Sequence, residues 1–176
     1  MLGHIIGVDS AGHTHDAQNA EIERKLQDTQ EIISEIIDKM DDKTTLVVFG
    51  DHGMTPDGNH GGQSELEMRT VLFAYQKTPF AMHKKYEDME NLFAKMDKGI
   101  KQVDLAPIVS QLLDLPLPYS NLGIGHPAFA LTNSLGDIHA NFVSNLEQMK
   151  TYLEAYCGKT QQVWCEGEIA DFEDKI

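Results

Sequence analysis

The 176 residues carry 28 Asp and Glu against 14 Lys and Arg, a formal net charge of −14, and 41% of them are hydrophobic. That length suits one domain with a real core. The charge argues against a nucleic-acid partner, because phosphate binding needs a basic surface. An acidic surface is compatible with divalent cations, although ordinary solvation explains most of these charges one by one. No apolar stretch approaches the roughly 18–20 residues that span a bilayer. The opening MLGHIIGVDS lacks the basic region of a signal peptide and turns polar too soon. It reads as the inside of a strand, which suggests a chain that starts part-way through a larger one.

HIIGVD (4–9) is a short apolar run, expected to be a buried strand that delivers the Asp9 carboxylate at its C-terminal end. Over 18–40, Ile22, Leu26, Ile33, Ile36, Ile37 and Met40 recur at spacings of three, four or seven with charges between them, which predicts an amphipathic helix. TTLVVFG (44–50), β-branched and aromatic, predicts a second buried strand. Strand, helix and strand in that order suggest a parallel βαβ unit, where ligands bind beyond the carboxyl ends of the strands. RTVLFAY (69–75) is a third strand candidate, and 84–97 is a charged helix candidate.

In VDLAPIVSQLLDLPLP (103–118), Asp104 can cap a helix with Leu105, Ile108, Val109, Leu112 and Leu113 on one face. Pro107 is tolerable in its first turn, and Pro116 and Pro118 close the segment. A connector rich in Gly, Asn and Ser follows. From 136 a helix is expected again, with Ile138, Phe142, Leu146, Met149, Leu153 and Tyr156 as its apolar stripe. A Cys157–Cys165 disulfide requires Gly158 to break that helix, since eight helical residues separate two Cα atoms by about 12 Å. Two free thiols are the equal alternative.

Asp9 and His13 in DSAGH, Asp51 and His52 in GDHG, and His60 in NHGG are donor types that zinc and similar ions accept. Glycines flank all of them and let the backbone bring donors close. A lone loop histidine is more often a surface residue. Spacing alone therefore leaves a metal site and a glycine-rich polar turn as equal readings. Asp16 and Asp57 read as turn formers.

GVDSAGH, GDHGM and NHGG together resemble the alkaline-phosphatase superfamily of two-metal phosphoryl- and sulfuryl-transfer enzymes. VDLAPIVSQLLDLPLP followed by SNLG resembles the downstream helix of that fold. GDHGMTPDGNHGGQSELE and VLFAY look closest to one branch, the glycosylphosphatidylinositol (GPI) ethanolamine phosphate transferases, and within it to the group acting on the third mannose. The resemblance runs from about residue 4 to 124, and more loosely to 156.

It implies a partial α/β core over 1–125, a mostly parallel sheet with flanking helices. A linker and helical tail (126–176) would then lead toward a membrane region in the longer enzyme. It implies two divalent ions, zinc by the Asp and His donors, with manganese as the alternative. Asp9, His13 and His60 would hold one ion, and Asp51 and His52 the other. His15 would support the site or touch the substrate phosphate. The family's Thr or Ser nucleophile and a further Asp ligand belong to an upstream segment, so no residue here is expected to be the nucleophile. The chain is expected to be a fragment, inactive alone.

The implied reaction carries ethanolamine phosphate from phosphatidylethanolamine, through a covalent intermediate, to a mannose hydroxyl of the GPI precursor. It would run on the lumenal side of the endoplasmic reticulum membrane. After GHTH the branch continues with Gly-Pro, whereas this chain reads DAQNAE, which leaves the role of His15 open. The rivals are another two-metal phosphodiesterase or phosphatase of the superfamily, and a non-catalytic, degenerate metal-binding module.

Overall fold

The computed structural model describes residues 1–78, 99–129 and 135–160. The helix candidate at 84–97 lies outside them, as does Cys165. The chain forms two compact units, Met1–Thr78 and Pro79–Ile176.

The N-terminal unit contains helices α1 (Gly7–His15) and α2 (Ala20–Lys39), strand β1 (Leu46–Phe49), the short helix α3 (Glu65–Met68) and strand β2 (Leu72–Tyr75). The two strands expected at 44–50 and 69–75 are there, but they pair with each other and run antiparallel. The register sets Leu46 opposite Tyr75 and Phe49 opposite Leu72. The sheet of the described residues is therefore not the parallel βαβ unit expected.

Residues 4–9 are also not a strand. Among the described residues no strand lies beside them, and an unpaired strand leaves its N–H groups without partners. Residues 7–9 instead open α1, whose hydrogen bonds run from Ser10 N–H to the Ile6 carbonyl at 3.0 Å through to Asp16 N–H to that of Gly12 at 2.9 Å. Asp9 thus sits in the first turn of α1, where a carboxylate complements the helix dipole.

The side chain of Asn19 starts α2 by accepting from Glu21 N–H at 3.0 Å, a helix N-cap. No residue within α2 is buried. Ile22, Ile33, Ile36 and Ile37 are half-buried and Leu26 is exposed. Met40, just beyond the helix, is buried. From the end of β2, the Lys77 ammonium donates to the Met40 carbonyl and, at 3.5 Å, to that of Asp38. A cation there meets the unsatisfied carbonyls at the helix end.

In the C-terminal unit a 3₁₀ turn (Gln102–Asp104) leads into α4 (Leu105–Leu112), and α5 spans Leu135–Thr160. Asp104 does not cap α4 through its side chain. Its carboxylate instead accepts from Lys101 N–H and from Ile124 N–H, each at 2.8 Å, so it ties the connector to the helix start. Pro107 and Ile108 are fully buried, and Phe129, Ile138 and Met149 are also buried. Val109 and Leu113, expected on the buried face, are 43% and 61% exposed. The buried side of α4 runs through Pro107, Ile108 and Ser110, because α4 packs against the turn at Pro127–Phe129.

The connector is held by amides. Asn145, 2% exposed, accepts from Gly125 N–H at 2.8 Å and donates to the Gly123 carbonyl at 3.1 Å. One turn on, Gln148 donates to the carbonyls of Tyr119 and Asn121. Cys157 is disulfide-bonded. Among the described residues no helix is long and apolar enough to cross a membrane.

Candidate metal centre

The site is built by laying the loop after β1 onto α1. Gly50 extends the sheet by one rung, its N–H donating to the Val71 carbonyl at 3.1 Å. Asp51 and His52 follow directly, at the carboxyl end of the strand as expected. The loop then folds on itself: Gly58 N–H reaches the Thr55 carbonyl and Thr55 N–H the Asn59 carbonyl, both at 2.9 Å. Asp57 accepts from the Asn59 amide at 2.8 Å. Hydrogen bonds from Thr55 and Asn59 hold its carboxyl below the usual carboxylate range. Asp16 accepts from Gln18 N–H. Both aspartates are turn residues, as read from sequence.

Glycine is required where this loop meets α1. Gly58 is buried and has φ +79°, and a Cβ there would lie 2.0 Å from the Gly12 carbonyl oxygen. Gly12 in turn leaves room for Met54, whose sulfur would be 2.2 Å from a Cβ at position 12. The backbones meet because neither residue carries a side chain. Ala17 N–H donates to the Pro56 carbonyl at 3.1 Å and fastens the same contact.

The far side of the loop is fastened by Glu67. Its carboxylate accepts from Gly62 N–H at 2.8 Å and from Ser64 N–H at 3.2 Å, and Ser64 completes a capping box at the start of α3. The Ser64 hydroxyl, then the Gly62 amide, lower the Glu67 pKa. Gly53 N–H donates to the Glu67 carbonyl at 2.7 Å. Residues 53 and 62, on either side of His60, are thus anchored to one residue. The signal for this in the sequence is the S-x-x-E spacing of Ser64 and Glu67, within QSELE.

These contacts converge the donors on one atom. Asp9 Oδ1 lies 3.3 Å from His60 Nε2, 3.5 Å from His13 Nε2 and 3.9 Å from His52 Nε2. Asp9, His52 and His60 each place a donor atom within 4.8 Å of the other two. The His52 and His60 rings stack at 3.7 Å, and the His13 ring is 4.9 Å from that of His60. Asp51 is at the rim, its carboxylate 3.6 Å from His52 Nε2 and 75% exposed. His15, at the end of α1, is exposed and outside this group. It contributes to lowering the Glu21 pKa, with the Arg24 hydrogen bond the dominant cause.

Two details fit the group to a cation. Asp9 Oδ1 is buried and accepts no hydrogen bond, which costs about 1–3 kcal/mol, and more for a charged group, unless something positive meets it. His52 Nδ1 lies 2.8 Å from the Gly53 carbonyl. A proton on that nitrogen, donated to the carbonyl, leaves Nε2 with a lone pair facing the cluster.

The model of the type I phosphodiesterase / nucleotide pyrophosphatase family matches residues 1–104. Among curated relatives, the catalytic subunits of GPI ethanolamine phosphate transferase 3 of Mus musculus and Homo sapiens are each 33% identical over 93% of this chain. GPI ethanolamine phosphate transferase 3 of Schizosaccharomyces pombe is 40% identical over 70% of it. The chain spans only 15% of the length of the mouse and human relatives and 13% of the fission-yeast one. No solved structure matches. The family match covers all five Asp and His donors and the glycines that seat them, and the chain belongs to the type I phosphodiesterase / nucleotide pyrophosphatase family.

Proposed function

We propose that this chain supplies metal-binding residues of a GPI ethanolamine phosphate transferase, an enzyme moving ethanolamine phosphate from phosphatidylethanolamine to a mannose of the GPI precursor at the endoplasmic reticulum membrane. The observation that carries this reading is the buried, unpartnered Asp9 oxygen facing three imidazole nitrogens. The names of the relatives support the substrate class.

Ligands at about 2.0–2.1 Å around a tetrahedral zinc stand about 3.3–3.4 Å apart. The His60 and His13 separations from Asp9, 3.3 and 3.5 Å, are close to that edge, and the His52 separation of 3.9 Å is longer. The distances to Asp9 favour His60 and His13, whereas the donors mutually within 4.8 Å are Asp9, His52 and His60; placing Asp9, His13 and His60 around one ion follows the family resemblance. His52, 3.6 Å from Asp51, belongs with Asp51 on a second. Divalent ions held there would stabilise the entering and leaving oxygens of a phosphoryl transfer. Zinc is the proposed metal, with manganese the alternative.

The chain's own residues present the donors, and the Gly53 carbonyl sets the tautomer of His52. Glu67 and the glycine contacts hold the loop so that the donors need little reorganisation. The nucleophilic hydroxyl is proposed to come from another segment of the enzyme. His15, at the exposed edge of α1, is proposed to meet the substrate phosphate.

Metal content after dialysis of the zinc-loaded chain tests the core of this. About one tightly held equivalent is expected, lost in Asp9→Ala and in His13→Ala. A wild-type chain that retains no metal would instead fit a degenerate module. Substrate class is tested in a polypeptide carrying the whole catalytic domain. Transfer from phosphatidylethanolamine should exceed hydrolysis of nucleotide esters, and the reverse order would move the assignment to a nucleotide phosphodiesterase.

A further inference from the structure

His52 stands between two carboxylates. Its Nε2 is 3.9 Å from Asp9 Oδ1 and 3.6 Å from Asp51 Oδ2. The family resemblance pairs it with Asp51. We propose that, while the cluster holds a single divalent ion, His52 closes the coordination of that ion beside Asp9, His13 and His60 and leaves no position open to a phosphate oxygen. This rests on the metal-centre reading and concerns the singly loaded chain.

The two carboxylates compete unequally for a first ion. Asp9 Oδ1 is buried and accepts no hydrogen bond, whereas the Asp51 side chain is 75% exposed. Water solvates an exposed carboxylate and screens its attraction for a cation. A buried oxygen without a partner carries an unmet desolvation cost, so a cation gains more at Asp9. Three imidazole nitrogens lie within 3.9 Å of that oxygen.

The His52 ring is already aimed at the same place. Its Nδ1 lies 2.8 Å from the Gly53 carbonyl, which leaves Nε2 as the metal-facing nitrogen. The position of Gly53 is itself fixed. Its N–H donates to the Glu67 carbonyl at 2.7 Å, and a Cβ there would lie 2.0 Å from the Leu66 carbonyl oxygen and 2.4 Å from that of Arg69. The His52 ring stacks on that of His60 at 3.7 Å, and these two histidines and Asp9 offer donor atoms that all lie within 4.8 Å of one another. His13 joins them from the next turn of α1, 3.5 Å from Asp9 Oδ1. Ligands of a tetrahedral zinc stand about 3.3–3.4 Å apart, so His52 has only about 0.5 Å to close toward Asp9.

Four protein ligands make the closed arrangement of a structural zinc, and three with one open position make the catalytic one. His52 therefore decides which of the two the first ion adopts. Held at Asp9, it shields that ion from phosphate. Withdrawn toward Asp51, it opens the position.

The test uses the full 176-residue chain with one equivalent of zinc, for affinity, and one equivalent of cobalt(II), for its visible absorption spectrum. His52→Ala should weaken binding of the zinc by about 100-fold or more, because losing a residue that only supports a ligand already costs about 10–100-fold. Azide added to the cobalt-loaded wild type should leave its spectrum unchanged, since no position is open, and should shift that of His52→Ala. The wild-type azide result needs no variant and so does not depend on how His52→Ala folds. A wild-type spectrum that shifts with azide would overturn the inference, and so would a folded His52→Ala chain that binds zinc as tightly as wild type; both leave the metal-centre reading standing. A wild-type chain that binds neither ion overturns that reading, and this inference with it.

Discussion

The two units place their polar groups by opposite means. In residues 1–78 the donors are on a loop and a short helix, and little is buried around them. Among the described residues of that unit, only Ala11, Gly12, Met40 and Gly58 are buried. The donors are set by backbone-to-backbone contact at glycines and by one carboxylate, Glu67, that gathers amides. In the C-terminal unit, Ile108, Pro107 and Met149 form a packed core, and a buried amide, Asn145, holds the connector. The contrast teaches that a group of candidate cation donors can be positioned without a large core, provided that no side chain intervenes where the backbones meet. It remains sensitive to a single added methyl group.

Gly58→Ala should break that contrast hardest. It adds a Cβ against the Gly12 carbonyl at a positive φ, for an expected cost of about 2–4 kcal/mol. Zinc retention and a melting curve read it together, and a variant that keeps both would show that the Gly58–Gly12 contact does not set the site. Asn145→Leu should rank next. It strands the Gly125 N–H, at about 1–3 kcal/mol for a buried group left unpaired, while the Gly123 carbonyl keeps its bond from the Asn121 amide at 2.7 Å. Hydrogen exchange should rise across 119–129 while zinc stays bound. Loss of zinc as well would mean that the units are not independent in this respect.

Glu67→Gln is a smaller change, because a neutral amide accepts less strongly than a carboxylate. The Gly62 amide of the metal-free chain should exchange faster. The pH dependence has a defined sign. The folded Glu67 pKa lies below the unfolded one, so its contribution is present above the unfolded value and is lost as pH falls through the folded value. In wild type, Gly62 protection should fall with acidification over that window, and in Glu67→Gln it should not.

The smallest expected effect belongs to His126. Burial holds its pKa below the ordinary value, against the pull of Asp104. The neutral form is favoured in the fold, so its contribution is present above about pH 6.5 and is lost as pH falls through the lowered value. The urea midpoint of the C-terminal unit should drop on acidification, and His126→Gln should flatten that slope.

The sequence by itself determined the candidate donors. Residue type and flanking glycines single out Asp9, His13, Asp51, His52 and His60 as candidate donors, but spacing alone leaves a glycine-rich polar turn as an equal reading, and only the resemblance of the motifs favours metal. Strands 46–49 and 72–75 and the long helices were legible from apolar periodicity, which is a local property. What tertiary structure decided was everything that depends on a partner. HIIGVD is apolar enough for a strand, but with no strand beside it, it leads into a helix. Val109 and Leu113 share a face with Ile108 on paper, but the turn at 127–129 covers the Ile108 side of α4. The periodicity that marked the α5 stripe passed over Asn145 and Gln148, since nothing local tells a surface amide from one buried against a connector. The gathering of three imidazoles around one buried oxygen was likewise set by tertiary contacts. It depends on Gly58 meeting Gly12 across 46 residues of chain, a contact that no short-range pattern encodes.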